Sequence, residues 1–101
     1  MITIYVTFKN KTEAKKIASV LLKKKLIACA TFYPIESIFW WKGRINQAKE
    51  YAGLFTTTDN RWNSVKTEIK KIHSYDVPCI KKSNSTATKE YEQWVISVTT
   101  K

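Results

Sequence analysis

The chain has 101 residues, 44% of them hydrophobic, and a formal net charge of +10. This length and composition suit one compact domain, residues 1–101, with a packed core, and exclude a disordered protein. The two glycines are too few for the glycine-rich phosphate loops of nucleotide-binding folds.

No stretch approaches the roughly 18–20 apolar residues that a membrane-spanning helix needs. The first strand-like segment begins at Ile2, so no signal or transit peptide is expected. The two cysteines are expected to be reduced thiols. Together these features predict a soluble cytoplasmic protein with no membrane contact. The positive charge favours an acidic partner, but the lysines come in scattered pairs, which we interpret as solvated helix faces.

The first half of the chain predicts a strand, a helix and a second, longer strand. Met1 to Phe8 alternates β-branched and aromatic residues, as a strand does. Asn10 caps a helix with Glu13 three residues on, and that helix ends near Lys24 or Lys25. Its apolar stripe is Ala14, Ile17, Ala18, Leu21 and Leu22. Leu26 to Lys42 then predicts a strand, in which Pro34 belongs at an edge or a bulge.

The second half returns from a tight turn at Gly43. Arg44 to Thr58 predicts a strand, and Asp59 or Asn60 is expected to cap the second helix. The buried stripe of that helix is predicted to be Trp62, Val65, Ile69 and Ile72. Val77 to Lys82 predicts a short strand, and Asn84 to Thr88 a polar loop. Tyr91, Trp94, Val95 and Val98 predict a last amphipathic helix.

The order of these elements predicts an α+β, ferredoxin-like βαββαβ fold with a long hairpin between its second and third strands and an extra C-terminal helix. Fully extended, residues 28–42 would span about 50 Å at ~3.3 Å per residue. A domain of this size has a radius of gyration of about 13 Å. The hairpin would therefore extend beyond its own domain. Its protruding part would place Phe39 and Trp41 on one face, with Ile38 and Trp40 on the other. We therefore predict that another subunit covers it.

Three stretches, in order, resemble the CutA-type divalent-cation tolerance family. "KKKLIACATFYPIESIFWWKGRINQAKEYAGLFTT" is similar to the family pattern K-L-A-A-C-x-x-x-x-P-x-x-S-x-Y-x-W-x-G-K-I, followed by S-E and a hydrophobic strand. The matching residues are Lys25, Leu26, Ala28, Cys29, Pro34, Ser37, Trp41, Gly43, Ile45 and Glu50. "IHSYDVPCI" resembles the family's H-P-Y-E-V-P-E-I, and "YEQWV" resembles its Y-x-x-W-L.

The resemblance implies a tight homotrimer of PII-like architecture, in which the hairpin reaches a neighbouring subunit. The residues expected at that trimer contact are Phe39, Trp40, Trp41, Lys42, Gly43 and Tyr51. It implies a role in tolerance of copper and other divalent metal ions, with no settled catalytic activity and no obligatory cofactor. It also implies ligand sites in clefts between subunits, to which Cys29, Tyr75 and Trp94 are assigned.

His73 and Cys79 are the candidate ligands for copper or another divalent metal ion, because soft metals favour imidazole and thiolate. In some bacterial relatives the proposed copper ligands are a cysteine on the first strand and two histidines ending the second helix. The matching positions here hold Val6, Ile72 and His73, so only His73 remains. The alternatives are that Cys29 is a small buried strand residue and that His73 is a cation at a helix C-terminus.

An enzyme is not expected, because one histidine and no nucleophile–base spacing are present. Acylphosphatases share this fold, but "FKNK" after the first strand lacks their arginine. The alternative function is that of an RNA recognition motif, which has the same element order. "KEYAGLFT" fits its pattern at Lys49, Tyr51 and Ala52 and departs from it at Glu50, Gly53 and Thr56. Nucleic acid is therefore not the expected partner.

Overall fold

A four-stranded antiparallel sheet with the strand order β2-β3-β1-β4 forms the centre of the computed structural model, which describes residues 1–100. The strands are β1 (Ile2–Phe8), β2 (Cys29–Trp41), β3 (Arg44–Thr57) and β4 (Ile80–Asn84). The helices are α1 (Lys11–Lys23), α2 (Trp62–Ile72) and α3 (Lys89–Thr99). This order confirms the predicted ferredoxin-like fold with its additional C-terminal helix. No helix within residues 1–100 is long and apolar enough to cross a membrane.

Alternation along β1 separates the two faces of the sheet. Ile2, Ile4, Val6 and Phe8 are fully buried, whereas the three residues between them are half-buried. The buried set packs with Ala14, Ile17 and Leu21 of α1 and with Val65 and Ile69 of α2. We call this side the helix face and the other side the open face. Gly53 lies on the helix face, where an added Cβ would come within 3.0 Å of the Phe55 ring and 3.1 Å of the Phe8 ring.

The start of α1 confirms the predicted cap. The Asn10 side chain accepts a hydrogen bond from the Glu13 amide at 2.9 Å, and the Glu13 carboxylate accepts one from the Lys9 amide at 3.1 Å. The Asn10 side chain thus satisfies an amide that the first turn of the helix leaves without a partner, and the Glu13 carboxylate satisfies the Lys9 amide just before the cap.

The hairpin is as long and regular as the sequence predicted. Its register runs without a bulge from Cys29 opposite Thr56 to Trp41 opposite Arg44. Lys42 and Gly43 form the turn, both with positive φ (52° and 75°), as a two-residue hairpin turn requires. Pro34 lies on β2, an edge strand, as predicted. The hairpin stretches the chain to 45 × 25 × 21 Å.

Several predicted details are wrong. Neither Asp59 nor Asn60 caps α2, because a short 3-10 turn (Asp59–Arg61) precedes it. Ile72 is 37% exposed rather than buried. Strand β2 begins at Cys29, after Leu26 and Ile27 have packed into the core, and β4 begins at Ile80 instead of Val77.

The last helix is present as predicted, but its own chain covers only part of its apolar stripe. Val95 and Thr99 are its buried residues, whereas Tyr91 and Trp94 remain exposed. The apolar stripe of α3 is therefore wider than the surface that it covers in its own chain.

Candidate functional site

The segment that follows α2 is fixed to the end of β1 by the His73 side chain. Its Nε2 atom lies 2.8 Å from the Thr7 carbonyl oxygen, and its Nδ1 atom accepts a hydrogen bond from the Tyr75 amide at 3.1 Å. A backbone amide can only donate, so Nδ1 carries no proton and the proton is on Nε2. The ring also stacks on Phe8, with centroids 5.3 Å apart and planes 15° apart. His73 thus holds this segment through both of its ring nitrogens and through its stacked ring.

Tyr75 links the same segment to β3. Its hydroxyl donates to Oε2 of Glu50 at 2.5 Å, and Glu50 is only 8% exposed. Burial, and next the Glu50 carboxylate, raises the pKa of Tyr75 well above its ordinary value. The phenol therefore keeps its proton and remains a donor to Glu50.

Glu13 provides the third link. One carboxylate oxygen accepts from the Lys9 amide, and the other accepts from the Ser74 amide at 3.0 Å. Burial alone would raise the pKa of Glu13, but the hydrogen bonds from Ser74 and Lys9 outweigh it and lower the pKa. A single carboxylate thus joins the start of α1 to the segment that follows α2.

We expect Glu13 to make stability depend on pH. Its pKa is lower in the folded chain than in the unfolded chain, so its contribution is complete above the unfolded value of about 4.3 and is lost as the pH falls through the folded value. Glu13→Gln should therefore reduce the free energy of unfolding by about 1 kcal/mol at pH 7, a small amount because the group is partly solvated. Urea unfolding at pH 7 and pH 3 measures this.

The matched control is Glu36→Gln, which changes an exposed glutamate on β2. The difference between wild type and Glu13→Gln should shrink at pH 3, and Glu36→Gln should resemble wild type at both values. An equal loss at both pH values would mean that the carboxylate charge of Glu13 does not hold Ser74.

The candidate metal ligands His73 and Cys79 both approach Thr7. His73 bonds the Thr7 carbonyl, and the Cys79 carbonyl accepts from the Thr7 amide at 3.4 Å. A metal on His73 would have to displace one of its two hydrogen bonds. Within residues 1–100, no group of three His, Cys, Asp or Glu side chains could hold a metal ion. The side chains of one chain therefore do not fit a metal site, and the His73–Cys79 pair stays a prediction.

The three predicted cleft residues lie in separate places in one chain. Cys29 is a half-buried free thiol opposite Thr56, and Tyr75 contacts Glu50, six residues earlier on β3. Six strand residues span about 20 Å. Trp94 is 43% exposed on α3, with its ring 5.5 Å from that of Tyr91. Only other subunits could bring these side chains into one cleft, so the assignment stays a prediction.

The outer half of the hairpin exposes apolar side chains on both of its faces. Ile38 and Trp40 are 71% and 72% exposed, and Phe39 and Trp41 are 41% and 40% exposed. Lys42 lies 5.9 Å from the centre of the Trp41 ring. Tyr51 differs from the other predicted contact residues, since it packs against the core of its own chain. Residues 1–100 thus leave most of Trp40 uncovered and cover Trp41 only in part.

The role of Glu50 was not predicted from the sequence, which gave it only as a match to the family pattern and as a departure from the RNA recognition motif. The one sequence feature that could have drawn attention to Glu50 was its place in the alternation of side chains along β3. Glu50 shares the open face with Ala52 and Leu54, opposite the core-facing side chains of Tyr51 and Phe55, so an acidic residue continues a row that also holds two apolar residues.

The same alternation argues against the RNA-binding alternative. Tyr51, Gly53 and Phe55 face the helices, because they pair with Phe8, Val6 and Ile4 of the buried set. An RNA recognition motif stacks bases on aromatic side chains of the exposed sheet face. The aromatic side chains of "KEYAGLFT" lie on the other face, so this alternative is not supported.

A family model described as CutA1 divalent ion tolerance protein matches residues 2–98. The chain is 36% identical over 102 residues to the divalent-cation tolerance protein CutA of Pyrococcus horikoshii, with full coverage of both chains. Its structure is similar to the periplasmic divalent cation tolerance protein CutA from Archaeoglobus fulgidus, at a TM-score of 0.96 and 38% identity over 99% of this chain and 100% of the other. The PII-like protein CutA from Nostoc sp. PCC 7120 shares the fold, at a TM-score of 0.91 and 22% identity over 99% and 98% of the two chains.

Proposed function

Because the chain belongs to the CutA1 divalent ion tolerance family, we propose that it serves divalent-cation tolerance as a non-enzymatic homotrimer with ligand clefts between its subunits. The names of its relatives refer to cation tolerance and to a PII-like protein, and none of those given above names a reaction. The cytoplasmic location predicted from the sequence stays a prediction, since the A. fulgidus protein is described as periplasmic.

The exposed hairpin carries the trimer proposal. Its outer half presents Ile38, Trp40 and Ile45 on one face, each more than 60% exposed, and Phe39 and Trp41 on the other. A soluble chain seldom leaves so many large apolar side chains together in water, and such patches mark interfaces. A cyclic trimer gives every hairpin a neighbour, so each subunit both covers a hairpin and has its own hairpin covered.

The state of His73 supports a role without catalysis. It is the only histidine in the chain, and hydrogen bonds occupy both of its ring nitrogens. A general base needs a free nitrogen within reach of a substrate proton. We therefore assign His73 to the packing of the segment after α2.

The proposal predicts a mass in solution of about three times the chain mass of 11.8 kDa. Sedimentation equilibrium at several protein concentrations measures it without assumptions about shape, which matters for a chain 45 Å long. A mass near that of one chain at all concentrations would contradict the trimer.

A further inference from the structure

One acidic side chain of this cationic protein is buried without a cation beside it. Within residues 1–100, Glu50 is the only charged residue among the buried ones. No lysine, arginine or histidine nitrogen of that part of the chain lies within 4.0 Å of its carboxylate. A buried carboxylate is costly unless hydrogen bonds and an opposite charge offset the loss of water. The Tyr75 hydroxyl supplies one hydrogen bond at Oε2, and Oε1, which has no hydrogen-bond partner within the described chain, is accessible from solvent.

Glu50 belongs to the open face of the sheet, near two further tyrosines. Tyr33 and Ala52 are paired, and Ala52 is paired with Thr7, so these three form one row across that face. Glu50 is two residues along β3 from this row, on the same face. Tyr5 lies on β1 two residues before Thr7. Burial, and then Tyr33, Cys79 and Glu50, raises the pKa of Tyr5.

The tyrosine rings of this face are suited to holding a cation. The Lys81 ammonium lies 5.0 Å from the centre of the Tyr5 ring, within the range of a cation–π contact. Tyr33 is 41% exposed and has no such partner within residues 1–100. A carboxylate with a free oxygen beside aromatic rings combines the two features with which proteins recognise organic ammonium groups.

We propose that Glu50, with the free ring face of Tyr33, binds the ammonium group of a small organic cation, beside the Tyr5 ring that Lys81 already contacts. A metal ion fits this place less well, because no group of three metal-ligating side chains lies within residues 1–100, whereas an ammonium group needs one carboxylate and an aromatic face. The proposal deepens the proposed function by naming a ligand class for a cleft that contains Tyr75. All of the binding residues belong to one chain. The proposal depends on the trimer only because a second subunit would cover the open face on which they lie.

The test compares two ligands of nearly the same shape, choline, which is cationic, and 3,3-dimethylbutan-1-ol, which is neutral. Amide chemical shifts of the full chain are followed by NMR during each titration. Choline should shift the amides near Glu50, Tyr33 and Tyr5 to saturation, and the alcohol should bind at least tenfold more weakly. Glu50→Gln keeps the shape but removes the charge, and should weaken choline binding at least tenfold. Glu36→Gln, on an exposed position of β2, should bind choline as the wild type does.

A second variant keeps the proposal testable if Glu50→Gln does not fold. Tyr33→Leu removes an exposed ring and leaves the Tyr75–Glu50 hydrogen bond in place, so it should fold and should bind choline several-fold more weakly. Equal affinity for choline and the alcohol, or choline binding that survives Glu50→Gln, would overturn the proposal. Binding of Zn²⁺ but not choline at Glu50 would also overturn it, in favour of a metal.

The mass in solution of the same samples, measured by sedimentation, shows whether the ammonium-site proposal or the trimer proposal has failed. If choline does not bind and Glu50→Gln lowers the mass in solution, the ammonium group beside Glu50 is a lysine of a second copy, and the small-molecule proposal fails while the trimer stands. If choline binds to a chain with the mass of a monomer, the trimer fails and the ammonium site stands.

Discussion

Replacement of Trp40 by alanine is expected to dissociate the proposed trimer into single chains at micromolar concentration. Trp40 is 72% exposed in the isolated chain, more than any other of its four tryptophans. A tryptophan that becomes buried at an interface removes about 150–250 Å² of apolar surface from water, and its truncation commonly costs 2 kcal/mol or more. A cyclic trimer contains three equal contacts, so one substitution weakens all of them. Sedimentation equilibrium from 1 to 100 μM measures the loss.

Leu22→Ala is the matched control for this variant. Leu22 is also an exposed apolar residue, at 43%, but it lies on α1 and outside the hairpin. We expect the Leu22→Ala protein to keep the wild-type mass at every concentration. A Trp40→Ala protein with the mass and dissociation behaviour of wild type would place the subunit contact somewhere other than the hairpin.

Phe8→Ala is expected to cause the largest loss of stability, about 3–5 kcal/mol. Phe8 is fully buried at the end of β1, with its ring centre 6.1 Å from that of Phe55 and 5.3 Å from that of His73. Alanine would leave a cavity between the core and the segment that follows α2. Guanidinium unfolding measures the loss, at one fixed protein concentration because unfolding of an oligomer depends on concentration.

The intermediate variant Phe8→Leu separates the volume of the ring from its stacking on His73. Leucine fills most of the space, so it should cost clearly less than alanine while still removing the aromatic contact. In both variants, NMR of the imidazole should show faster exchange of the Nε2 proton of His73. A loss below 1 kcal/mol for Phe8→Ala would mean that the core collapses around the missing ring.

Patterns among residues close together in the chain were sufficient to predict most of the fold. The apolar alternation of Met1 to Phe8, the Asn10 cap with Glu13 and the turn at Gly43 each depend on residues close in the chain, and all three are present in the structure. The predictions failed where contacts distant in sequence competed with local preference. Val77 and Pro78 look like the start of a strand, yet Pro78 has no amide to donate, and the pairing with β1 begins only at Ile80.

The sequence by itself therefore determined the fold class and the unusual hairpin, because both follow from periodicity and from strand length. Only the tertiary structure decided the chemistry of the candidate site. The contacts of His73 with Thr7, of Glu13 with Ser74 and of Tyr75 with Glu50 join residues 66, 61 and 25 positions apart. No pattern among neighbouring residues in the sequence predicts such contacts. The proton position on His73 and the uncompensated charge of Glu50 depend on groups that only folding brings within hydrogen-bond distance.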